Sequence, residues 1–183
     1  MTESNKISMG KFISLILRHK PETVGLSLDN NGWVDVEELL SAINKTRRLS
    51  FKELEDIVNT NNKKRFSFND DKTKIRANQG HSIDVDVELE KKTPPNILFH
   101  GTSIKSVPSI MKMGLLPMSR LYVHLSSDES TAYKVGLRHG RPVILTIDSS
   151  KMYEDGIDFF LSKNGVWLTK NVASKYISII EAR

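Results

Sequence analysis

Two adjacent prolines, Pro94 and Pro95, divide the sequence into two parts with different patterns. A proline cannot donate the backbone hydrogen bond that continues a helix or a central strand, so no regular element should run through this point. The first part has mainly helical periodicity, whereas short β-rich segments dominate the second. We therefore predict two domains, residues 1–92 and residues 93–183, and an α+β fold class.

The first part predicts three helices followed by a β-hairpin. Apolar residues at helical spacing predict a first helix that ends just before Pro21, because the residue preceding a proline avoids the helical region. Capping signatures at Asp35 and Ser50 predict the starts of two further helices. Alternating aromatic and apolar residues predict a hairpin of Arg65–Phe68 and Lys74–Ala77. This order resembles winged-helix nucleic-acid binders, although the same scaffold also serves as a protein-interaction module.

The second part predicts a mixed domain of five or six strands and two helices, without the regular alternation that marks doubly wound folds. Just before it, Ile83–Glu90 alternates between apolar and acidic residues, which predicts one packed and one solvated face. The predicted strands are Ile97–His100, Leu121–Leu125, Pro142–Ile147, a hairpin within Phe159–Leu168 that turns at Asn164-Gly165, and Tyr176–Ile180; the predicted helices are one through Val107 that ends at Gly114, and Thr131–His139.

Composition excludes several classes of protein. The chain of 183 residues has a net charge of +5 and no cysteine. It can therefore form no disulfide or thiolate metal site, which suits the cytoplasm. No apolar run reaches the roughly 18 residues that a membrane span needs. The five histidines lack ligand spacing, so no metal site is predicted. Dinucleotide-binding glycine motifs, phosphate-binding P-loops and nucleophile-elbow motifs are absent as well.

Basic clusters recur in the first part, and one of them, Arg18-His19-Lys20, directly follows the first predicted helix. Such charges can simply neutralise the negative end of the helix, an effect of about 0.3–1 kcal/mol per charge. Alternatively they form part of an anion site, because clusters of lysine and arginine on one face are what binding to a phosphate backbone requires. Charge alone leaves both interpretations open.

Seven short motifs, in order along nearly the whole chain, are together similar to the NAD-dependent RNA 2′-phosphotransferase family. Members of that family act on tRNA splice junctions in some organisms. Each motif alone is weak, but seven in order with the family's spacing are very specific. The motifs are Leu17-Arg-His-Lys-Pro, Gly32-Trp-Val, Lys64-Arg-Phe, Ile75-Arg-Ala-Asn-Gln-Gly-His-Ser, Leu98-Phe-His-Gly-Thr, Arg120-x-x-Val-His-Leu-Ser and Asn164-Gly-Val-Trp-Leu.

The resemblance implies an enzyme with NAD as co-substrate and with no metal. An internal RNA 2′-phosphate would attack C1″ of NAD and expel nicotinamide, which gives a 2′-phospho-ADP-ribosylated RNA. The ribose 2″-hydroxyl would then displace the RNA and leave a 2′-OH and ADP-ribose 1″,2″-cyclic phosphate. The resemblance also implies a winged-helix-like RNA-binding lobe and an ADP-ribosyltransferase-like NAD-binding lobe, with RNA, in particular tRNA, as the partner.

The resemblance further assigns the site residues. Guanidinium groups match phosphate geometry and stay charged, and His19 would act as a general acid or as a positioning residue. The catalytic set would be Arg18, His19, Arg65 and Arg120, all facing the same phosphate; NAD would be bound by His100, Gly101, Thr102, His124, Ser126, Val166 and Arg138; RNA would be bound by Arg76, His81 and Ser82.

Alternatives to this assignment exist at several positions. Arg76 and His81 could equally brace the hairpin, and Arg138 could be solvated. Val166 stands where many ADP-ribosyltransferases carry a catalytic glutamate. A carboxylate there would repel an incoming phosphate by roughly 1 kcal/mol or more, so the valine argues against a protein-modifying transferase. Two other functions stay open: a winged-helix nucleic-acid binder with an inactive transferase lobe, and an enzyme that ADP-ribosylates nucleic-acid ends.

Overall fold

The computed structural model of the chain describes residues 1–61 and 63–180. The chain divides into two compact units, Met1–Glu88 and Leu89–Arg183. This division falls slightly before the predicted boundary at residues 92 and 93. The reason is that Glu90–Lys91 pairs with Phe160–Leu161, a strand of the second unit. Both units combine α-helices with antiparallel sheets.

The first unit consists of three α-helices, as the sequence predicts, and a three-stranded antiparallel sheet, in which a short strand before the second helix joins the predicted hairpin. Its strands lie in the order β1-β3-β2, and the apolar faces of the helices pack with the sheet into one core. The likeness to winged-helix proteins stays a prediction. The elements are α1 (Glu3–Arg18), β1 (Val34–Asp35), α2 (Val36–Asn44), α3 (Phe51–Thr60), β2 (Phe66–Phe68) and β3 (Lys74–Ala77), with a 3₁₀ turn at Pro21–Val24.

Local capping explains where these helices begin and end. The Asp35 carboxylate accepts hydrogen bonds from the first-turn amides of α2. Ser50 and Glu53 form the reciprocal capping box that starts α3. The predicted helix starts at Asp35 and Ser50 are therefore confirmed. Helix α1 ends at Arg18, two residues before Lys20, the residue that the following Pro21 keeps out of the helical region.

The alternating segment Ile83–Glu90 is not a ladder strand over most of its length. Only Glu90, with Lys91, belongs to a strand (β4). Burial nevertheless follows the predicted alternation, with Val87 buried and its acidic neighbours exposed. The segment is attached to the turn after the first helix instead, because the Asp86 amide donates to the Asn30 carbonyl at 2.8 Å. Its pattern thus predicted which side chains are buried, but not the partner of its backbone.

The second unit contains two antiparallel sheets. One has the strand order β10-β7-β5 and the other β4-β8-β9-β6, and paired backbone groups of Phe99 and Ser126 join them. Their apolar faces form a second core. The elements are β4 (Glu90–Lys91), β5 (Ile97–Ser103), α4 (Val107–Met113), β6 (Val123–Leu125), α5 (Glu129–Gly136), β7 (Pro142–Asp148), α6 (Ser149–Glu154), β8 (Phe160–Leu161), β9 (Trp167–Thr169) and β10 (Ile177–Ile180), with 3₁₀ turns at Ile104–Ser106, Leu137–His139 and Ser174–Tyr176.

The described part of this unit therefore has seven strands and three helices, one strand and one helix more than the sequence predicts. The additional helix, α6, is only six residues long and begins where the Asp148 carboxylate accepts the Lys151 amide. The additional strand is β4. A likeness to ADP-ribosyltransferases stays a prediction. Along the described residues of both units, no helix is long and apolar enough to cross a membrane.

Candidate active site

The first unit contains an open groove of about 650 Å³ between α1, the end of α3 and the chain that leads to β2. Three of the predicted catalytic residues, Arg18, His19 and Arg65, line it. The structure therefore brings together residues that lie almost fifty positions apart in sequence. Lys11 and Lys63 also line the groove, together with Glu3 and with Lys6, which pairs with Asp56 at 2.7 Å.

Arg18 and His19 occupy the end of α1. Arg18 is the last helical residue, and His19 is the cap, whose amide donates to the Leu15 carbonyl at 3.0 Å. The unpaired carbonyls of a helix end carry partial negative charge, which favours cations there. Their position is compatible with the interpretation of these residues as cations at the helix end. This interpretation does not conflict with their position in the groove.

Ser82 contacts both of these residues. Its amide donates to the Arg18 carbonyl at 3.0 Å, and its hydroxyl lies 2.9 Å from Nδ1 of His19. The hydroxyl is bonded within the unit, although Ser82 itself is exposed. These contacts favour a role in orienting His19 over the RNA contact that the resemblance implies.

Arg76 is engaged inside the first unit and is only 5% exposed. Its guanidinium donates to the Asn31 carbonyl at 3.2 Å and to Oε2 of Glu88 at 2.9 Å. The same group lies 4.4 Å above the centre of the Trp33 ring. These contacts favour the bracing role over RNA contact.

His81 is buried even more deeply, with 2% of its surface exposed. Burial and the nearby charges of Arg18, His19 and Arg76 lower its pKa to about 4. A hydrogen bond to the Leu17 backbone raises the pKa, but it offsets only part of this lowering. His81 is therefore neutral at physiological pH. It fits a buried brace behind the end of α1 better than an RNA ligand.

In the second unit, hydrogen bonds link three predicted site residues, Arg120, His124 and His100. An Arg120 guanidinium nitrogen lies 2.8 Å from Nδ1 of His124, and Nδ1 of His100 lies 3.0 Å from the His124 carbonyl. His124 thus connects a residue predicted to bind phosphate with one predicted to bind NAD.

These contacts fix the protonation of both rings. A guanidinium can only donate, so Nδ1 of His124 accepts and the ring is neutral with its proton on Nε2. A carbonyl can only accept, so Nδ1 of His100 carries a proton and donates. Burial lowers the pKa of His100, which keeps this ring neutral too and makes its Nε2 a hydrogen-bond acceptor. The rings of His100 and His124 therefore offer neutral hydrogen-bonding groups and add no positive charge of their own.

Gly101 lies where β5 packs against α5, and a side chain does not fit there. A Cβ on Gly101 would lie 1.7 Å from the Ala132 carbonyl oxygen and 2.8 Å from the Gly136 amide nitrogen. Close packing of β5 against α5 therefore explains why residue 101 is a glycine. Thr102, the next residue, is also buried. A ligand at these two positions would have to use backbone groups.

The backbone amide and carbonyl of Gly101 are suitably directed for binding a ligand. Phe99 exchanges both of its backbone hydrogen bonds with Ser126, at 2.9 and 2.8 Å. Residues two apart in a strand direct their backbone groups to the same side, so the amide and carbonyl of Gly101 point away from β7, as those of Phe99 do. Ser126 is half-buried at this junction of the two sheets.

The last two predicted NAD-binding residues, Val166 and Arg138, differ in how exposed they are. Val166 is half-buried in the turn between β8 and β9, where its amide donates to the Ser162 hydroxyl at 3.0 Å. Arg138 is exposed in the 3₁₀ turn after α5. Its solvation, the alternative to NAD contact, is consistent with this exposure.

Sequence reasoning missed several residues of the site. Lys11 and Lys63 line the groove, but their signal was only a single lysine on a helix face and membership of a basic cluster. Asn78 donates hydrogen bonds to the backbone carbonyls of Lys64 and Arg65. Gly80 lies beside the guanidinium of Arg18. Asn78 and Gly80 both belong to the motif that begins at Ile75, so the motif marked them without revealing their role.

Comparison with known proteins gives one consistent result. The model of the family described as "RNA 2'-phosphotransferase, Tpt1 / KptA family" matches residues 4–171. Relatives named "Probable RNA 2'-phosphotransferase" occur in several bacteria. The protein of Fusobacterium nucleatum is 55% identical over 94% of this chain and 98% of its own length. That of Flavobacterium johnsoniae is 53% identical over 97% and 98%, and that of Trichormus variabilis 50% identical over 98% and 100%.

Proposed function

Because the chain belongs to the Tpt1/KptA family of RNA 2′-phosphotransferases, we propose that it transfers an internal RNA 2′-phosphate to NAD. The products would be RNA with a 2′-OH, nicotinamide and ADP-ribose 1″,2″-cyclic phosphate. We further propose tRNA that carries such a phosphate as the physiological substrate, and the cytoplasm as the location. The observation that carries the proposal is the groove that gathers Arg18, His19 and Arg65.

The groove suits a 2′-phosphate beside an RNA backbone. Such a junction holds about three negative charges within a few ångströms, and arginine forks bind phosphate oxygens in pairs. Arginines also stabilise the charge that develops on a phosphoryl group during transfer. We assign this task to Arg18 and Arg65, and also to Arg120 in the second unit. His19 is the one member of the set whose side chain can serve as a general acid.

The second unit has groups that fit NAD. The outward amide and carbonyl of Gly101 form an adjacent donor and acceptor, which match a primary carboxamide such as that of nicotinamide. Neutral His100 offers Nε2 as an acceptor for a ribose hydroxyl, and half-buried Val166 places no carboxylate beside an arriving phosphate. We propose that Thr102, Ser126 and His124 shape the surrounding surface. Bound NAD would supply the electrophilic ribose carbon that accepts the phosphate.

The test is to incubate the protein with NAD and an RNA oligonucleotide that carries one internal 2′-phosphate. We expect NAD-dependent loss of the phosphate from the RNA, with formation of nicotinamide and a cyclic ADP-ribose phosphate, resolved by chromatography and mass spectrometry. An unmodified oligonucleotide and an oligonucleotide with only a 5′-phosphate serve as controls. If no 2′-phosphate is removed, the proposal is wrong. If only the terminal phosphate gains ADP-ribose, the protein modifies nucleic-acid ends instead.

Replacement of His19 by asparagine is expected to separate the two steps. Asparagine keeps a hydrogen-bonding side chain but cannot protonate the departing RNA oxygen, and loss of a general acid typically slows a step by about 10²–10⁴-fold. The His19→Asn variant should therefore release nicotinamide and accumulate 2′-phospho-ADP-ribosylated RNA, detectable by its added mass. If the variant only binds RNA more weakly and no such RNA accumulates, His19 is a positioning residue.

Lys11 is expected to contact an RNA phosphate away from the reacting one. It lines the groove on the same face of α1 as Arg18, seven residues earlier, which corresponds to about 10 Å along the helix. Loss of one such contact should lower the slope of log affinity against log salt by about 0.7 for a single strand. RNA binding by Lys11→Ala, measured without NAD at several salt concentrations, checks this. Exposed Lys52 lies outside the groove, so Lys52→Ala should keep the original slope.

A further inference from the structure

We propose that the five residues Asn78–Ser82 position three of the proposed catalytic residues, with Ser82 acting through His19 and Asn78 acting through Arg65. The inference rests on the proposed function for the identity of the reaction. The contacts themselves lie entirely within the first unit. The segment directly follows β3, so the hairpin of the first unit delivers it to the end of α1.

Ser82 holds His19 by two routes. Its amide donates to the carbonyl of Arg18, which fixes the backbone at the helix end. Its hydroxyl engages Nδ1 of the His19 ring at 2.9 Å, which fixes the rotation of the ring. With Nδ1 engaged in this way, Nε2 is the nitrogen that exchanges a proton with the RNA. Ser82 therefore selects both the orientation and the reactive nitrogen of the proposed general acid.

Asn78 holds Arg65 through the backbone. Its amide donates to the Arg65 carbonyl at 2.9 Å, and its side-chain nitrogen donates to the Lys64 carbonyl at 2.7 Å. Lys64 has a φ of 40°, a left-handed conformation that is costly for a residue with a side chain. Asn78 is only 5% exposed, so these bonds are largely shielded from solvent. The strained backbone before Arg65 is thus held by a buried amide side chain.

The middle of the segment fits closely against Arg18. Gly80 has a φ of 87°, and a Cβ there would lie 3.5 Å from a guanidinium nitrogen of Arg18. Buried His81 anchors the segment behind the helix end and stays neutral there, because burial, and after it the nearby charges, lower its pKa. The segment therefore approaches Arg18 and His19 without adding positive charge to the site.

A simple helix-capping role would account for the Ser82 amide but not for its hydroxyl. The two roles differ in what Ser82→Ala should do. That variant keeps the amide bond to Arg18 and removes only the contact with the His19 ring. If the hydroxyl orients His19, activity should fall about 10-fold to 100-fold, the loss typical for removal of a partner that orients a metal-binding histidine. Ser82→Thr retains a hydroxyl and should recover most of the activity.

A double-mutant cycle separates positioning from direct substrate contact. Single-turnover rates would be measured for the protein, Ser82→Ala, His19→Asn and the double variant, with NAD and RNA carrying a 2′-phosphate. If Ser82 acts through His19, Ser82→Ala should cause no further loss in the His19→Asn background. An equal loss in both backgrounds, or no loss in either, would overturn the role of Ser82.

Two further measurements complete the test. Asn78→Ala should weaken binding of the 2′-phosphorylated RNA about 10-fold, while Ser82→Ala leaves this binding within about 2-fold; equal effects on binding would overturn the division of roles. The nitrogen chemical shifts of the His19 ring, recorded without substrates, should change in Ser82→Ala and return in Ser82→Thr. This readout does not depend on activity, so it distinguishes failure of the positioning role from failure of the proposed reaction.

Discussion

Replacement of Arg18 by alanine is expected to abolish phosphate transfer in a protein that remains folded. An arginine that stabilises the charge of a phosphoryl group in transfer contributes about 10³–10⁵ to the rate, so the loss should be at least about 10³-fold. As a cation at a helix end, the same residue contributes only about 1 kcal/mol or less to the free energy of unfolding. The two readouts are the transfer rate with 2′-phosphorylated RNA and NAD, and a urea unfolding curve.

Arg48 provides the matched control. It is an exposed arginine that also follows a helix of the first unit, and it does not line the groove. Arg48→Ala should change neither rate nor stability appreciably, since exposed substitutions usually stay within about 0.5 kcal/mol. Comparable rate losses in Arg18→Ala and Arg48→Ala would mean that Arg18 contributes only general positive charge, and the proposed role of Arg18 would be wrong.

Replacement of Gly101 by alanine is expected to disrupt the second unit. The new Cβ would lie 1.7 Å from the Ala132 carbonyl oxygen, and backbone on both sides leaves no flexible side chain to move. Helix α5 would have to separate from β5, which exposes part of the core. We expect a loss of more than about 4 kcal/mol, at the extreme of single substitutions, or insoluble protein. Thermal and urea unfolding of the purified variant, or its soluble yield, measures this.

The same substitution at Gly10 should have the opposite sign. Gly10 lies within α1, and a Cβ there would meet only a methyl group of Ile57 at 3.8 Å, an ordinary contact. Glycine in a helix interior costs about 0.5–1 kcal/mol relative to alanine, so Gly10→Ala should be neutral or stabilising. If Gly101→Ala proved as stable as Gly10→Ala, the close packing of α5 on β5 would be disproved.

The parts of the fold that were predictable depend on local chemistry. The helix starts at Asp35 and Ser50 follow from side chains that bond amides two or three residues later, so a short stretch of sequence contains the whole signal. Helix α6 escaped prediction because six residues are too few to show a period. Ile83–Glu90 showed the correct burial pattern, but which backbone it pairs with depends on a distant turn that no local pattern specifies.

The sequence predicted which residues belong to the site, but not the contacts that hold them in place. Seven motifs named Arg18, His19 and Arg65, and the groove brings these three together. Their support was not predictable, because the hydroxyl of Ser82 meets His19 from 63 residues away. Arg76 lies in a basic stretch with several motifs and was predicted to bind RNA. Its guanidinium instead stacks on Trp33 and pairs with Glu88 within the first unit. Side-chain identity does not reveal whether a charge is already neutralised by a neighbour.

The bond from the Ser82 amide to the Arg18 carbonyl has a consequence for local opening. Helix ends normally fray, and local openings of this kind require far less free energy than unfolding of a whole domain. Here the last turn of α1 is bonded to a segment that follows the hairpin in the chain. Fraying of the backbone at Arg18 and His19 therefore requires that this bond breaks as well. We therefore expect this helix end to fray less than a free helix end, so that the arrangement of Arg18 and His19 depends on the stability of the docked segment as well as on the helix.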